Sequence, residues 1–410
     1  SATGRRAGEK HRMGMTLPGI TVVVPTYWRR PEGQPSQPED AVYDHPTPVD
    51  GESTLPRLLE NLAAQGADDF NVLVLTAAVH PALAEAAESA VGEIIAPYRD
   101  VYPIAQCGTT DLQILRARMA ALGFDPAAAS LRGYANVRNL QLIVPHILGS
   151  SLIVALDDDE TVAPGYMRQA GTYAGRCLKG QFIGGVAGIY LDESGGWLLP
   201  ERASSDNIFF DKASIMNAAA RELMGKGECL VKSPTAYGGN MVFHRDLFTR
   251  VPFDPAITRG EDIDYLLNAR LRGQNLWFDR HLAITHLPPA GYRSSPYATL
   301  RQDVVRFVYE RVKLDQAGLD PAAFDPYPGR FLRQDLEAQA LAALSETGIP
   351  EEMACWGSPA SILAQAQAHA TEEAPRFFAF AESWPKLMEG LSSDPGLRAY
   401  WQEKMKGTRT

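Results

Sequence analysis

Ser151-Leu-Ile-Val-Ala-Leu156-Asp157-Asp158-Asp159-Glu160 joins an apolar run to four consecutive acids in the middle of the chain. A run of aliphatic and β-branched residues this short reads as a buried parallel strand, which delivers the acids to the carboxyl edge of a sheet. Open α/β sheets bind their ligands at that edge. Asp157 and Asp159, one residue apart, can share a hard divalent cation such as Mg²⁺ or Mn²⁺, which takes oxygen ligands and keeps positions free for phosphates. A solvated acidic turn that merely ends a strand is the other reading of the same residues.

Upstream, Ile20 to Val24 is a β-branched run closed by Pro25, a first-strand signal. The residues that follow, Thr26-Tyr27-Trp28-Arg29-Arg30, lack the G-x-G-x-x-G spacing of a dinucleotide-binding turn. Pro31, Pro35, Pro38, Pro46, Pro48 and Pro56 crowd the next stretch, too many for a helix or a sheet interior, so residues 31–56 are expected to form a long loop near the mouth of the sheet. A helix carrying Leu55, Leu58, Leu59 and Leu62 leads to a second strand, Asn71 to Leu75. A helix over Pro81 to Val91 leads to a third, Val101 to Ala105. This alternation predicts βαβ units and a parallel sheet with right-handed crossovers. Tyr134 to Leu148 forms the helix before the acidic strand. Phe182 to Leu191, Ala236 to Phe243 and Leu276 to Thr285 read as later strands, with a helix over Glu261 to Leu271. From about Ser295 only helices are expected, with Leu300, Val304, Phe307, Val308 and Val312 at helical spacing.

At 410 residues, 45% hydrophobic and 21% charged, the chain has the make-up of an ordinary globular protein with a large core. A net charge of −10 argues against general nucleic-acid binding. Cys107, Cys177, Cys229 and Cys355 lie far apart with no C-x-x-C spacing, so buried free thiols in a reducing, cytoplasmic setting are expected. Residues 1–17 are polar and basic, lack the apolar core of a signal peptide and read as a flexible tail. Leu140 to Leu156 is apolar but broken by Gln141, Pro145, His146 and Gly149, so no membrane span is expected there.

The chemistry-bearing residues come in a fixed order: Pro25-Thr26-Tyr27, then Gly133-Tyr-Ala-Asn-Val-Arg138-Asn139, then Asp157-Asp158-Asp159. Tyr237-Gly238-Gly239-Asn240, Gly260-Glu261-Asp262 and His286-Leu-Pro-Pro follow. This series, over roughly Ile20 to Pro289, resembles the GT-A nucleotide-sugar glycosyltransferases, especially the large inverting family that includes cellulose, chitin and hyaluronan synthases. The resemblance implies a GT-A domain over 18–294, an α/β fold with a mixed, mainly parallel sheet flanked by helices. A helical C-terminal appendage would fill 295–410. It further implies a nucleoside-diphosphate sugar donor, a hydroxyl acceptor and Mg²⁺ or Mn²⁺.

By the same resemblance, Pro25, Thr26 and Tyr27 would line the base pocket, and an aromatic ring there can stack on a base. Arg138 and Asn139 would meet the base or diphosphate, Asp157 and Asp158 the donor, and Asp159 the metal. His286 would complete the metal shell, with His281 the nearby rival. Gly238 and Gly239 would let backbone approach the sugar or acceptor. Asp262 would be the general base, with Glu261 beside it, although acids in a first turn also simply suit a helix dipole. Tyr292 and Arg293 would belong to a lid over the diphosphate. One departure concerns the second strand, which in the family ends in acids that read the base. Here Leu75 is followed by Thr76-Ala77-Ala78, which leaves the nucleotide open, with Thr76 the candidate at that place.

Other readings remain. Retaining transfer of the glycerate-glycosylating type is compatible with the appendage and His286. Asp157-Asp-Asp159-Glu-Thr161 also fits the D-x-D-x-T pattern of phosphatases with an aspartyl nucleophile, a motif that normally follows the first strand. A silent sugar-nucleotide-binding protein would keep the fold without turnover.

Overall fold

The computed structural model describes residues 19–37, 39–66, 70–201, 203–236, 238–289 and 295–407. The strands are β1 (Ile20–Arg29), β2 (Thr47–Pro48), β3 (Asn71–Ala78), β4 (Ile104–Cys107), β5 (Leu152–Leu156), β6 (Glu160–Val162), β7 (Cys177–Leu178), β8 (Gln181–Phe182), β9 (Gly185–Leu191), β10 (Leu230–Lys232), β11 (Asn240–His244) and β12 (Leu276–His286). The α-helices are α1 (Leu55–Ala63), α2 (Ala84–Ile95), α3 (Thr109–Ala121), α4 (Tyr134–Leu148), α5 (Tyr166–Ala170), α6 (Lys212–Gly225), α7 (Arg245–Phe248), α8 (Glu261–Leu271), α9 (Pro296–Ala317), α10 (Leu336–Thr347), α11 (Pro359–Ser392) and α12 (Pro395–Lys406). The main sheet runs β10-β12-β9-β11-β5-β1-β3-β4, with β2 beside β1 and β6 beside β12.

The expected parallel sheet holds for β5-β1-β3-β4, whose pairings are all parallel. β11 runs antiparallel to both β5 and β9, which departs from the run of βαβ units and makes the sheet mixed, mainly parallel, as the resemblance implied. That reversal has a local consequence: Asn240 pairs with Leu156, so Gly238 and Gly239, which precede β11, lie beside the acids that follow β5. A second antiparallel pairing sets His286 opposite Glu160, at the end of β12. Both registers are long-range, so neither follows from the local apolar pattern.

Element edges shift by a few residues from the sequence reading. The third strand begins at Ile104, Gln181–Phe182 forms a small hairpin with Cys177–Leu178, and β11 begins at Asn240. Among the described residues between 31 and 54 there is no long element, yet β2 docks in parallel on the end of β1, and α1 takes in Leu55 and Pro56. The buried-thiol expectation holds only for Cys107; Cys177, Cys229 and Cys355 are exposed.

α4 is buried on nearly every side, between the sheet and the C-terminal helices. A helix apolar all round belongs in a core. Trp384, Leu387, Trp401 and Met405 of α11 and α12 pack in the same cluster as α4 and the β1–β3–β5 face, and the Trp384 indole donates to the Phe248 carbonyl. α1 and α2 cover the other face. α6, α9, α10 and the first half of α11 build a further core that closes over α8. Among the described residues no helix is long and apolar enough to cross a membrane.

Candidate functional site

Just past β5 the backbone turns, and alternate acids go different ways. Asp158 turns inward, where the Thr26 hydroxyl donates to its carboxylate at 2.6 Å. Glu160, fully buried, accepts from the Asp157 backbone N–H at 3.0 Å. Asp157 and Asp159, with part of Asp158, line a cavity of about 290 Å³ at the carboxyl edge of the sheet, walled also by Tyr27, His45, Arg138, Tyr190, Gly238, Glu261, Asp262 and His286. Burial pushes the Asp157 carboxyl up and Arg138 opposes the shift. Burial and the neighbouring carboxylates push Glu160 well up.

Arg138 sits on the fully packed helix α4, so its guanidinium must find partners inside. It donates to Asp157 at 2.8 Å, to Glu261 at 3.3 Å and to Gln141 at 3.3 Å. Its fork therefore ties the acid strand to the start of α8. Asn139, the next residue, is held in both directions by the Phe253 backbone at 2.9 Å and lies away from the cavity.

Asp159 and His286 meet directly, with Asp159 Oδ2 and His286 Nε2 3.2 Å apart. The β6–β12 pairing brings them together, and the Leu287 N–H donates to the Asp159 carbonyl at 2.8 Å. From α1, Arg57 donates to the Leu287 carbonyl at 2.9 Å and, at 3.4 Å, to that of Asp159, holding the two segments as one. Burial alone would lower the pKa of His286, but the hydrogen bond and charge of Asp159 raise it above the ordinary imidazole value. The third member is one the sequence reading missed. His45, from the proline-rich loop, completes a group whose ligand atoms all lie within 4.8 Å of one another. Among the described residues its Nδ1 is buried and has no hydrogen-bond partner. Two imidazoles and one carboxylate that converge in this way, one nitrogen otherwise unsatisfied, fit a divalent transition metal.

In the same cavity, Asp262 in the first turn of α8 accepts from the Gly238 N–H at 3.0 Å and from Ile263 N–H at 2.9 Å, and its side chain is half-buried. Glu261 lies behind it, and burial pushes its carboxyl up to about 7 against the pull of Arg138. Gly260 holds φ at +74°, and a side chain there would collide with the Arg306 guanidinium. Gly239 is demanded by crowding: a Cβ would strike Glu160 and come within 2.6 Å of both Asp157 Oδ2 and the Tyr190 hydroxyl. The Gly239 N–H also donates to that hydroxyl at 2.8 Å.

The remaining expected residues scatter. Tyr27 lines the cavity but is packed against Tyr43 and Tyr134, with ring centroids 4.3 Å and 5.0 Å away. Pro25 lies inside the sheet opposite Leu75, and Thr26 is engaged by Asp158. Thr76 is buried and its hydroxyl accepts from Gln106 at 2.9 Å, away from the cavity wall. Arg293 and Tyr292 lie outside the described residues. Besides His45, the sequence reading passed over Lys212, Arg259, Arg306 and Tyr327, which also wall the cavity. His45 left a faint signal, a Tyr43-Asp44-His45 triplet set among prolines.

No protein-family model matches the chain, and no curated protein does. Among solved structures it is similar to a mannosyltransferase from Pyrobaculum calidifontis in complex with GDP-Man and Mn²⁺, at 16% identity, over 94% of this chain and 88% of that one, with a TM-score of 0.45. It is similar to a mycobacterial protein at 16% identity, over 73% of this chain and 75% of that one, with a TM-score of 0.36. GalNAc-T7 with UDP, GalNAc and Mn²⁺ is similar at 14% identity, over 88% of this chain and 58% of that one, with a TM-score of 0.36. Likenesses this distant carry no activity over to the chain.

Proposed function

We propose that the chain is a metal-dependent GT-A glycosyltransferase that moves a sugar from a nucleoside-diphosphate donor to an acceptor hydroxyl, with inversion. The observation that carries this reading is the cavity shared by the Asp159–His286–His45 group and the Asp262 carboxylate. Asp159 and the imidazoles would hold Mg²⁺ or Mn²⁺, which supplies charge neutralisation at the leaving diphosphate. Asp157, steadied by Arg138, faces the donor side. Asp262, its two oxygens oriented by the Gly238 and Ile263 N–H groups, would take the proton of an acceptor hydroxyl as the oxygen attacks. A carboxylate in the same cavity as the metal group supplies the base that an inverting transfer needs.

The test is turnover on a panel of UDP- and GDP-linked sugars with and without chelator. Slow, chelator-sensitive hydrolysis of one donor when no acceptor is present is expected, as is loss of activity on the order of 10³-fold in Asp159→Ala. Robust phosphomonoester hydrolysis lost in Asp157→Asn would replace this reading with the phosphatase one. Donor binding without any turnover would leave only a sugar-nucleotide-binding protein.

A further inference from the structure

We propose that His45 is a third protein ligand of the metal centre, which makes it a two-histidine, one-carboxylate site that selects Mn²⁺ over Mg²⁺. This deepens the reading above by naming the ligand set and the metal class. His45, Asp159 and His286 come from three separate parts of the chain, the loop after β1, the turn after β5 and the end of β12, and their ligand atoms lie within 4.8 Å of one another. The His45 and His286 ring centroids are 5.9 Å apart, and the planes are tilted by 56°, so the two rings are neighbours without stacking. His45 Nδ1 is buried with no partner among the described residues, a state that costs free energy unless something binds it.

The loop does not bring His45 there by chance. Tyr43 is buried to 1% exposure and its hydroxyl accepts from the Gly133 N–H at 3.0 Å. The Asp44 N–H donates to the Tyr134 hydroxyl at 2.6 Å, and the Asp44 carboxylate lies 3.3 Å from Arg259. Two residues after His45, Thr47 pairs with Trp28 on the end of β1. Anchors on both sides within two residues hold the imidazole in place ahead of any ion, which lowers the entropy cost of ligation.

Metal preference follows from ligand chemistry. Mg²⁺ takes oxygen ligands and gives up its waters reluctantly, whereas imidazole nitrogens suit the first-row transition ions. A site with Asp159 and only one histidine discriminates weakly; a second imidazole tilts the balance away from Mg²⁺. Three protein donors still leave positions for donor oxygens or water.

The experiment uses the full chain and the metals alone, with no nucleotide sugar. Calorimetric titration should show Mn²⁺ binding at least about tenfold tighter than Mg²⁺, and His45→Ala should weaken Mn²⁺ by roughly 10- to 100-fold while changing Mg²⁺ little. Pulsed electron paramagnetic resonance of the Mn²⁺ complex should report two coupled imidazole nitrogens in the unmodified protein and one in either His45→Ala or His286→Ala. A single coupled nitrogen in the unmodified protein, an unchanged count in His45→Ala, or equal affinity for Mn²⁺ and Mg²⁺ overturns the proposal. The count in the unmodified chain stands even if a variant fails to fold. Because no donor is present, a chain that shows two nitrogens yet turns over no sugar nucleotide would refute the glycosyltransferase reading and leave the metal centre intact.

Discussion

Asp262 and Glu261 are adjacent acids with different environments, and the difference predicts different behaviour. Asp262→Asn keeps the shape and one of the two N–H contacts but cannot take a proton, so acceptor-dependent transfer should fall by roughly 10²- to 10⁴-fold with donor affinity nearly kept. Product assay beside calorimetric donor binding checks this; near-normal transfer removes Asp262 as base, and a product of retained anomeric configuration removes inversion. Glu261 makes a stability prediction instead. Its folded pKa, about 7, lies above the ordinary 4.5, so the folded chain holds this proton more tightly than the unfolded one. Stability from this group is therefore highest below pH 4.5 and declines as pH rises through 7. Glu261→Gln removes the buried charge and should stabilise the protein at pH 8 by on the order of 1–3 kcal/mol, an advantage that shrinks toward pH 5. Urea melts at the two pH values measure it, and equal stability of the two proteins at pH 8 contradicts it.

At the scale of elements, α8 carries Asp262 and is fixed from behind by α9. Lys313 of α9 is fully buried and donates to Asp254 at 2.8 Å, Asp264 at 2.5 Å and Asn268 at 2.8 Å, while the Tyr309 hydroxyl donates to Asp254 at 2.7 Å. Lys313→Met would strand two carboxylates in a dry core and should cost about 3–5 kcal/mol. Asp264, pushed up by burial to about 6 even with Lys313 present, would take a proton first, so the loss should diminish as pH falls below that value. Denaturant unfolding at pH 8 and pH 5 tests it: a loss that is the same at both would show that the carboxylates find other partners. The apolar spacing of α9 was legible in the sequence. This polar lock was not, because Lys313 looks like any surface lysine until α8 is laid against it.

For the molecule as a whole, the C-terminal helices share cores with the sheet. Trp384 and Trp401 pack in one cluster with α4 and β1, and the first half of α11 packs with α9 and α10. The division at 294/295 that the change of pattern suggests should therefore mark no separable folding unit. Calorimetry of the full chain should give one transition, and a chain ending at Pro289 should fail to fold; a soluble, cooperatively melting truncation would restore the two-unit view. Arg306 and Tyr327, from beyond that division, also wall the cavity.

What the sequence determined by itself was local and periodic. The apolar run Leu152 to Leu156 had to be a buried strand, its four acids had to emerge at a sheet edge, and the prolines between residues 31 and 48 had to keep that stretch out of helix. Neighbouring residues alone decide such features. The tertiary structure decided which distant groups met. Antiparallel registers at β11 and β12 carried Gly238, Gly239 and His286 to the acids. Close packing around α4 turned the Arg138 fork onto Asp157 and Glu261 and left Asn139 pinned to Phe253. Two tyrosine anchors and a short β-pairing delivered His45, more than a hundred residues before Asp159, to the same point. The reason is physical: periodicity records which face of an element is buried, whereas register and long-range packing choose what that face is buried against.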